Sequence, residues 1–301
     1  MRPFSKIRDK AAWLWMLGSM VLVLIVPVLI AYGLIAKSTP LFQDNLIVDI
    51  LMGSDWKPVR GSFGFLPFIA GSVYVTLMAL LIATPLCLLT AIYLTHYARK
   101  RTLRLMHPII DILAGIPSVV YGVWGILVIV PLVSDTIAPM FGVSTSGYTL
   151  LSGALVLAVM IIPFILNIMI EVMRSIPEEL TESSMALGAT RWQSVKKVIM
   201  RKAAPGLASA VVFGLSRAFG ETIAVLMVIG NVPKVPASVF DPAYPLPSLI
   251  ANNYGEMLSI PRYDAALMFA ALILFVIVLL FNLASRFFIT RYEMKQKGTL
   301  K

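Results

Sequence analysis

Long apolar runs constrain the fold of this sequence more than any other feature. Six runs carry almost no charged side chain, and they cover residues 11–36, 71–95, 112–134, about 148–170, 203–230 and 265–285. Each is long enough to cross a hydrocarbon core of about 30 Å at about 1.5 Å per residue. Because 59% of the residues are hydrophobic and only 13% are charged, a soluble domain is excluded. The sequence predicts an all-α integral membrane protein with six transmembrane helices.

The basic residues indicate the orientation of these helices. Most of the 25 Lys and Arg side chains fall before the first run, after the last run, or in the segments 96–107 and 174–204. These four segments lie on one side of the membrane, and an excess of Lys and Arg marks the cytoplasmic side. Both termini are therefore predicted to be cytoplasmic. The net charge of +10 then reflects orientation, and no nucleic-acid partner is expected.

The first apolar run is predicted to be a retained helix. It has 26 uncharged residues, whereas the apolar part of a cleaved signal peptide has about 7–15. We expect a cytoplasmic segment 1–12, a first transmembrane helix 13–36, a periplasmic loop 37–70, a transmembrane core 71–290 that contains a cytoplasmic loop 174–204, and a cytoplasmic tail 291–301.

Two outer loops have recognisable patterns. In the loop 37–70, an apolar face predicts a short helix that rests at the lipid headgroups, formed by Leu41, Leu46, Ile50 and Leu51. Residues 231–247 contain too many prolines for a regular helix and predict an ordered loop, which a docking partner could contact.

The cytoplasmic loop 174–204 carries helix start and stop signals. Ser175 is a candidate N-cap, Pro177 suits a first helical turn, and Gly188 is a natural stop, which predicts a helix of about 11 residues. Thr190 is placed to cap a second, basic helix that leads into the fifth run. A rigid helix here could transmit force to a partner, whereas the alternative is a solvated amphipathic hairpin without one.

The same loop resembles the EAA loop of ABC-importer permeases. The matching residues are Glu182, Ser183, Ser184 and Gly188, followed by the apolar Val198 and Met200. Serines replace the usual alanines, and Arg201 stands where a proline is common. The resemblance implies that the loop docks into a cleft on a separate ATPase, with the coupling contacts made by Glu182, Ser183, Ser184, Leu187 and Gly188.

Two membrane segments make the resemblance more specific. The stretches AGIPSVVYGVWG (114–125) and GLSRAFGETIAVLMVIGN (214–231) are similar to the C-type permease of the phosphate-specific (Pst) ABC transporters. The similarity extends from about residue 56 to 289. It implies a type I ABC importer fold and a phosphate importer with a second permease of the Pst A type, an ATPase dimer and a periplasmic phosphate-binding protein.

Arg217 and Glu221 are unusual inside an apolar run. If the fifth helix starts near residue 205, Arg217 lies about 18 Å along it, at mid-depth, where a lipid-facing cation costs about 2.5–3.5 kcal/mol or more. Glu221 is four residues later and would share its helical face. The two charges could simply neutralise each other. Alternatively, Arg217 binds an anion in a hydrated path while Glu221 orients the guanidinium.

A second candidate path segment surrounds Pro117 in the third run. Pro117 removes a backbone donor near mid-depth, so Pro117, Ser118 and Gly122 could line a path. An ordinary kink filled by Tyr121 is the alternative. Asp111 is expected to cap the first turn of this helix.

Several chemistries have no support in the sequence. No G-x-x-x-x-G-K-[ST] run occurs, so the chain is not expected to hydrolyse ATP itself. We predict no catalytic residue, no metal site and no cofactor. The alternatives that remain are a permease for another oxyanion such as molybdate or tungstate, a stand-alone channel or secondary transporter, and a membrane enzyme acting on lipid phosphates.

Overall fold

The computed structural model describes residues 3–42, 46–255 and 261–298. These residues form helices and one two-stranded antiparallel hairpin. The elements are α1 (Pro3–Ser38), α2 (Ile47–Met52), β1 (Trp56–Lys57), β2 (Ser62–Phe63), α3 (Leu66–Ile92), α4 (Lys100–Gly115), α5 (Ser118–Trp124), α6 (Val130–Leu132), α7 (Ala138–Met140), α8 (Leu150–Arg174), α9 (Glu178–Ala186), α10 (Arg191–Ser194), α11 (Met200–Gly220), α12 (Ile223–Leu226), α13 (Leu246–Asn253) and α14 (Pro261–Gly298).

Six helical stretches in the described residues are long and apolar enough to cross a membrane, which confirms the predicted number. They are Asp9–Phe42, Leu66–Tyr97, Ser118–Met140, Leu150–Arg174, Arg191–Gly220 and Arg262–Arg291. Six crossings leave both ends of the chain on the same side. The boundaries of two spans differ most from the prediction, since the third covers Ser118–Met140 rather than 112–134 and the fifth covers Arg191–Gly220 rather than 203–230.

Helix α8 is the centre of the main core. It packs most extensively against α3 and then against α11. On the side that faces these helices, Ile161, Ile165 and Met169 are almost completely buried. Glycines allow the close approach of α11, because a Cβ on Gly206 or Gly214 would come within 2.5 Å of an α8 side-chain atom.

We predict that Gly206→Ala destabilises the bundle by about 1–3 kcal/mol. The added Cβ would lie 2.5 Å from Cγ1 and 2.9 Å from Cγ2 of Val172, and a helical valine has one strongly preferred χ1 rotamer. Thermal unfolding in detergent should therefore begin several degrees lower. Gly220→Ala in the same helix is the control, since its Cβ meets nothing within 4 Å. Equal midpoints for the two variants would contradict this account of the packing.

The first helix stands apart from the core. It packs against α14 and is exposed along nearly all of its apolar length. Such a surface is suited to lipid or to another membrane helix.

The outer loop 37–70 packs more tightly than predicted. Leu41 and Ile50 are buried in an aromatic cluster with Phe65 and Phe68, so the predicted contact with lipid headgroups is wrong for these two side chains. The helix α2 itself is present, and Leu46 just before it is exposed. The two side chains are buried there because the aromatic rings form a more apolar environment than the lipid headgroups.

The proline-rich loop is ordered, as predicted. The Asp241 carboxylate accepts hydrogen bonds from the backbone N–H groups of Ala237 and Ser238, each at 2.9 Å. The Leu150 and Leu151 N–H groups donate to backbone oxygens of this loop at 2.8 and 2.9 Å. The loop is thereby fixed to the start of α8.

Candidate functional site

The two membrane motifs come together in space. The backbone leaves the helical conformation at Ile116 and Pro117, and Pro117 is the N-cap of the short helix α5. Helix α5 packs against α12, and a Cβ on Gly122 would lie 3.3 Å from the Ala224 Cα. Each helix follows a break in the chain at its N-terminal end. Irregular backbone at membrane depth is tolerated only inside protein or beside water.

The helix at Pro117 is interrupted completely and not only kinked. The irregular segment predicted at Pro117 is present, and the alternative of an ordinary kink is wrong, because Pro117 separates α4 from α5. The third span begins at Ser118, so its predicted start at 112 is also wrong. The helical conformation is disfavoured for a residue that precedes a proline, which explains the break at Ile116. The Tyr121 side chain is buried and its hydroxyl donates to the Leu113 carbonyl at 2.8 Å. Pro117 is exposed and Ser118 is half-buried.

Arg217 lies in the last turn of α11 and is exposed. Its Cζ atom is 3.8 Å from the centroid of the Phe164 ring on α8. This cation–π contact attracts the guanidinium to the ring face. The position at the C-terminal end of a helix also favours a cation. Arg217 therefore presents donors on an open face of the bundle.

Glu221 does not share a helical face with Arg217, so that prediction is wrong. Helix α11 ends at Gly220, and Glu221 has extended backbone with φ −73° and ψ 127°. Its Oε1 atom accepts a hydrogen bond from the Ala224 N–H at 3.2 Å. The two charged groups form no salt bridge with each other. Glu221 instead satisfies a donor at the start of α12.

Helix α8 carries a polar stripe that sequence reasoning missed. Its polar members are spaced three or four residues apart on one face and are Asn167, Glu171 and Arg174, and Phe164 continues the same face towards the N-terminal end. Glu171 and Arg174 are exposed, and the other two are half-buried. The spacing was visible in the sequence. Each polar residue alone was too common in membrane helices to be assigned.

Two contacts join this stripe to α4. The Asn167 Nδ2 donates to the Asp111 Oδ1 at 3.3 Å, and Arg174 Nη1 lies 3.2 Å from His107 Nε2. Asp111 was expected in the first turn of a helix, which is wrong because it lies near the C-terminal end of α4. A stripe of this kind cannot face hydrocarbon cheaply. Protein or water must cover it in the membrane.

Helix α9, in the loop 174–204, begins two residues later than its start signals suggested, at Glu178 rather than 176. Pro177 is its N-cap, whereas Ser175 closes α8 by donating from its hydroxyl to the Val172 carbonyl at 2.8 Å. The predicted Ser175 cap is therefore wrong. Gly188 ends the helix as predicted, with φ +88° and its N–H 2.9 Å from the Met185 oxygen. Leu187, just before it, is 90% exposed.

Hydrogen bonds stiffen the hairpin of α9 and α10. Thr190 forms the predicted cap, and it makes a full capping box with Gln193. The Ser184 hydroxyl donates to the Ser194 hydroxyl at 2.6 Å, which ties the two helices together. The serine in place of alanine thus has a structural use in this chain. The described residues contain no group of three or more His, Cys, Asp or Glu that could hold a metal.

The arrangement as a whole defines a membrane-embedded transport protein, with an open polar face in the bilayer and a rigid hairpin outside it. Residues 83–295 match the family described as binding-protein-dependent transport system inner membrane component, and the chain belongs to this family. Membership places it among transport permeases rather than enzymes. It is a multi-pass protein of the inner membrane.

Related sequences agree with this assignment. The chain is 41% identical over 249 residues, 82% of its length and 79% of the relative, to the probable ABC transporter permease protein YqgH of Bacillus subtilis. It is 37% identical over 260 residues to the phosphate transport system permease protein PstC of Pasteurella multocida, covering 82% and 81% of the two chains.

Solved structures share the fold. A chain of the inward-facing MetNI methionine ABC transporter superposes with a TM-score of 0.54 at 24% identity, covering 78% of this chain and 95% of that one. A chain of the bacterial alginate ABC transporter, in complex with an alginate pentasaccharide-bound periplasmic protein, gives a TM-score of 0.64 at 18% identity and covers 95% and 96%. The fold is that of type I ABC importer permeases.

Proposed function

We propose that this chain is a permease component of an ATP-driven phosphate importer. The observation that carries the proposal is the exposed Arg217 guanidinium on the open side of α11, stacked on Phe164. A planar guanidinium can engage two oxygens of a phosphate at once. Relatives at 34–37% identity are named phosphate transport system permease protein PstC, which supports phosphate as the substrate.

The path is proposed to lie between this chain and a second permease. The polar stripe of α8 and Arg217 open to the outside of the chain, so a second permease of the Pst A type would close the path. Ser118 and Pro117 border it at the N-terminal end of α5, and Glu221 borders it at the break before α12. Glu221 acts there on the backbone of α12 rather than by pairing with Arg217. The permease core is taken as residues 71–290.

ATP hydrolysis is assigned to a separate ATPase dimer beneath the cytoplasmic hairpin. Leu187 is an exposed apolar side chain held on a rigid turn, and it is suited to a pocket on a partner. Glu182, Ser183, Ser184 and Gly188 complete the coupling segment. A periplasmic phosphate-binding protein would deliver the substrate to the outer loops. No cofactor is required for this role.

Uptake by the reconstituted complex tests the substrate. We expect that vesicles containing both permeases, the ATPase and the loaded binding protein take up phosphate only when ATP is present. Parallel assays with molybdate and tungstate distinguish the oxyanions. ATP-dependent uptake of those ions without uptake of phosphate would overturn the substrate assignment. Vesicles with this chain alone should move no anion. ATP-independent flux by the single chain would instead identify a channel or secondary transporter.

A further inference from the structure

A cavity of about 780 Å³ opens at the cytoplasmic end of the bundle, between the membrane helices and the hairpin of α9 and α10. Its wall is formed by the segment that follows α3 (Leu94 to Ala98), the start of α4, the end of α8, and α9 with α10. Arg217 lies at the far end of α11, 18 residues beyond the lining residue Ile199, which corresponds to about 27 Å. The cavity is therefore distant from Arg217, and it shares only Arg174 with the polar stripe of α8.

Four cationic side chains converge on this cavity from three directions. Lys100 and Arg104 come from α4, Arg174 from the end of α8, and Arg191 from α10. Lys100 and Arg104 are one helical turn apart and so share a face. Converging cations of this kind repel one another unless an anion lies between them.

The carboxylates of the cavity do not neutralise these cations. Glu178 and Glu182 also line the wall, but neither forms a salt bridge with any of the four cations. Arg174 is instead 3.2 Å from His107, and the Arg191 guanidinium lies 5.4 Å from the centroid of the Tyr97 ring. The cationic groups thus remain available to a ligand.

His96 supplies an unused polar atom in the same wall. Its Nε2 atom is buried and has no hydrogen-bond partner among the residues that the structure describes. A buried polar atom without a partner costs free energy, so a ligand that bonds to it gains stability. Helix α4 begins at Lys100, so the positive end of its dipole lies on this side of the cavity.

We propose that this cavity is a binding site for a phosphate group on the cytoplasmic side. A tetrahedral oxyanion has several oxygens that accept charge-assisted hydrogen bonds, so it suits a cavity whose walls carry cations from α4, α8 and α10. The group is either free inorganic phosphate or the headgroup of an anionic phospholipid, since basic pockets at the cytoplasmic ends of membrane helices bind such headgroups. Bound there, it fixes the hairpin relative to the membrane helices.

The test measures binding of both phosphate sources to the full chain purified in a neutral detergent. Thermal unfolding is followed with inorganic phosphate against chloride at equal ionic strength, and native mass spectrometry follows retention of phosphatidylglycerol against phosphatidylcholine. The test variant is the double substitution Lys100→Gln with Arg104→Gln. The control is Arg101→Gln with Lys202→Gln, which removes the same charge from exposed residues that do not line the cavity.

We expect the test variant to bind its phosphate ligand at least about tenfold more weakly than the wild type and the control. If the test variant loses the stabilisation by inorganic phosphate and the control keeps it, the ligand is the free anion. If the test variant loses retention of phosphatidylglycerol and the control keeps it, the ligand is the lipid headgroup. If neither ligand distinguishes the test variant from the control, the proposal is overturned. Phosphate held only at Arg217 would protect both variants equally and so gives this last result, which leaves the proposed function untouched.

Discussion

Arg217→Ala should reduce phosphate uptake by the assembled importer by at least about a hundredfold. The guanidinium is exposed on the open face of the bundle and is held in place by the Phe164 ring. Two hydrogen bonds from a cation to an anion contribute about 1.5 kcal/mol each or more, and a loss of about 3 kcal/mol corresponds to about a hundredfold. Alanine provides neither the charge nor the donors.

The measurement is uptake of labelled phosphate by vesicles that contain the complete complex. Arg217→Lys keeps the charge but loses the planar pair of donors and the stacking, so we expect uptake between those of the wild type and of Arg217→Ala. Lys202→Ala removes an exposed cation from the first turn of the same helix and should leave uptake near that of the wild type. Co-isolation of the ATPase with each variant shows that assembly is intact.

Normal uptake by Arg217→Ala would remove this residue from the path. A purely structural role is separated by Phe164→Leu, which keeps the cation but removes its aromatic partner. If Arg217 binds phosphate, Phe164→Leu should lower the apparent affinity of the importer for phosphate in the uptake assay without abolishing transport. If Arg217 only stabilises the bundle, both variants should lower the thermal midpoint and leave uptake per folded complex unchanged.

Much of the architecture could be predicted from the sequence, because its causes are local. Apolar runs long enough to span a membrane fix the number of helices. The turn at Gly188 and the cap at Thr190 depend on residue types within a few positions of each other. Both features were predicted from these residues and confirmed.

The ends of the spans at the interruptions inside the membrane could not be predicted in the same way. Hydropathy does not change at Pro117 or at Gly220, so a count of apolar residues continues across both breaks. The contact between Asn167 and Asp111 joins residues 56 positions apart, and it depends on where α4 lies after the first break. The exposed polar face of α8 could not be predicted from this sequence either, because in the proposed assembly a separate permease covers it.

Gly188→Val should separate ATP hydrolysis from transport or prevent assembly with the ATPase. Gly188 has φ +88°, a conformation that costs a β-branched residue about 1–3 kcal/mol. The turn would therefore change its backbone path, and the neighbouring Leu187 would leave its exposed position. We expect uptake to fall at least about tenfold, while the thermal midpoint of the membrane domain stays within a few degrees of the wild-type value.

Two further variants show whether the surface or the backbone is responsible. Ala189→Val adds the same side chain at the next residue, where φ is not positive, and should retain most of the uptake. Leu187→Asp leaves the turn intact and replaces the exposed apolar side chain by a charge. If Leu187 enters a pocket on the ATPase, this variant should lose co-isolation of the ATPase in mild detergent, because burying an unpaired carboxylate costs several kcal/mol.

The ratio of phosphate transported to ATP hydrolysed is the decisive quantity for this loop. In a complex that still assembles, a displaced turn should lower the ratio, since hydrolysis continues while the force no longer reaches α8 and α11. An unchanged ratio in both Gly188→Val and Leu187→Asp would mean that the hairpin is a solvated surface element. The connection between the ATPase and the bundle would then have to pass through another cytoplasmic segment, such as the start of α4.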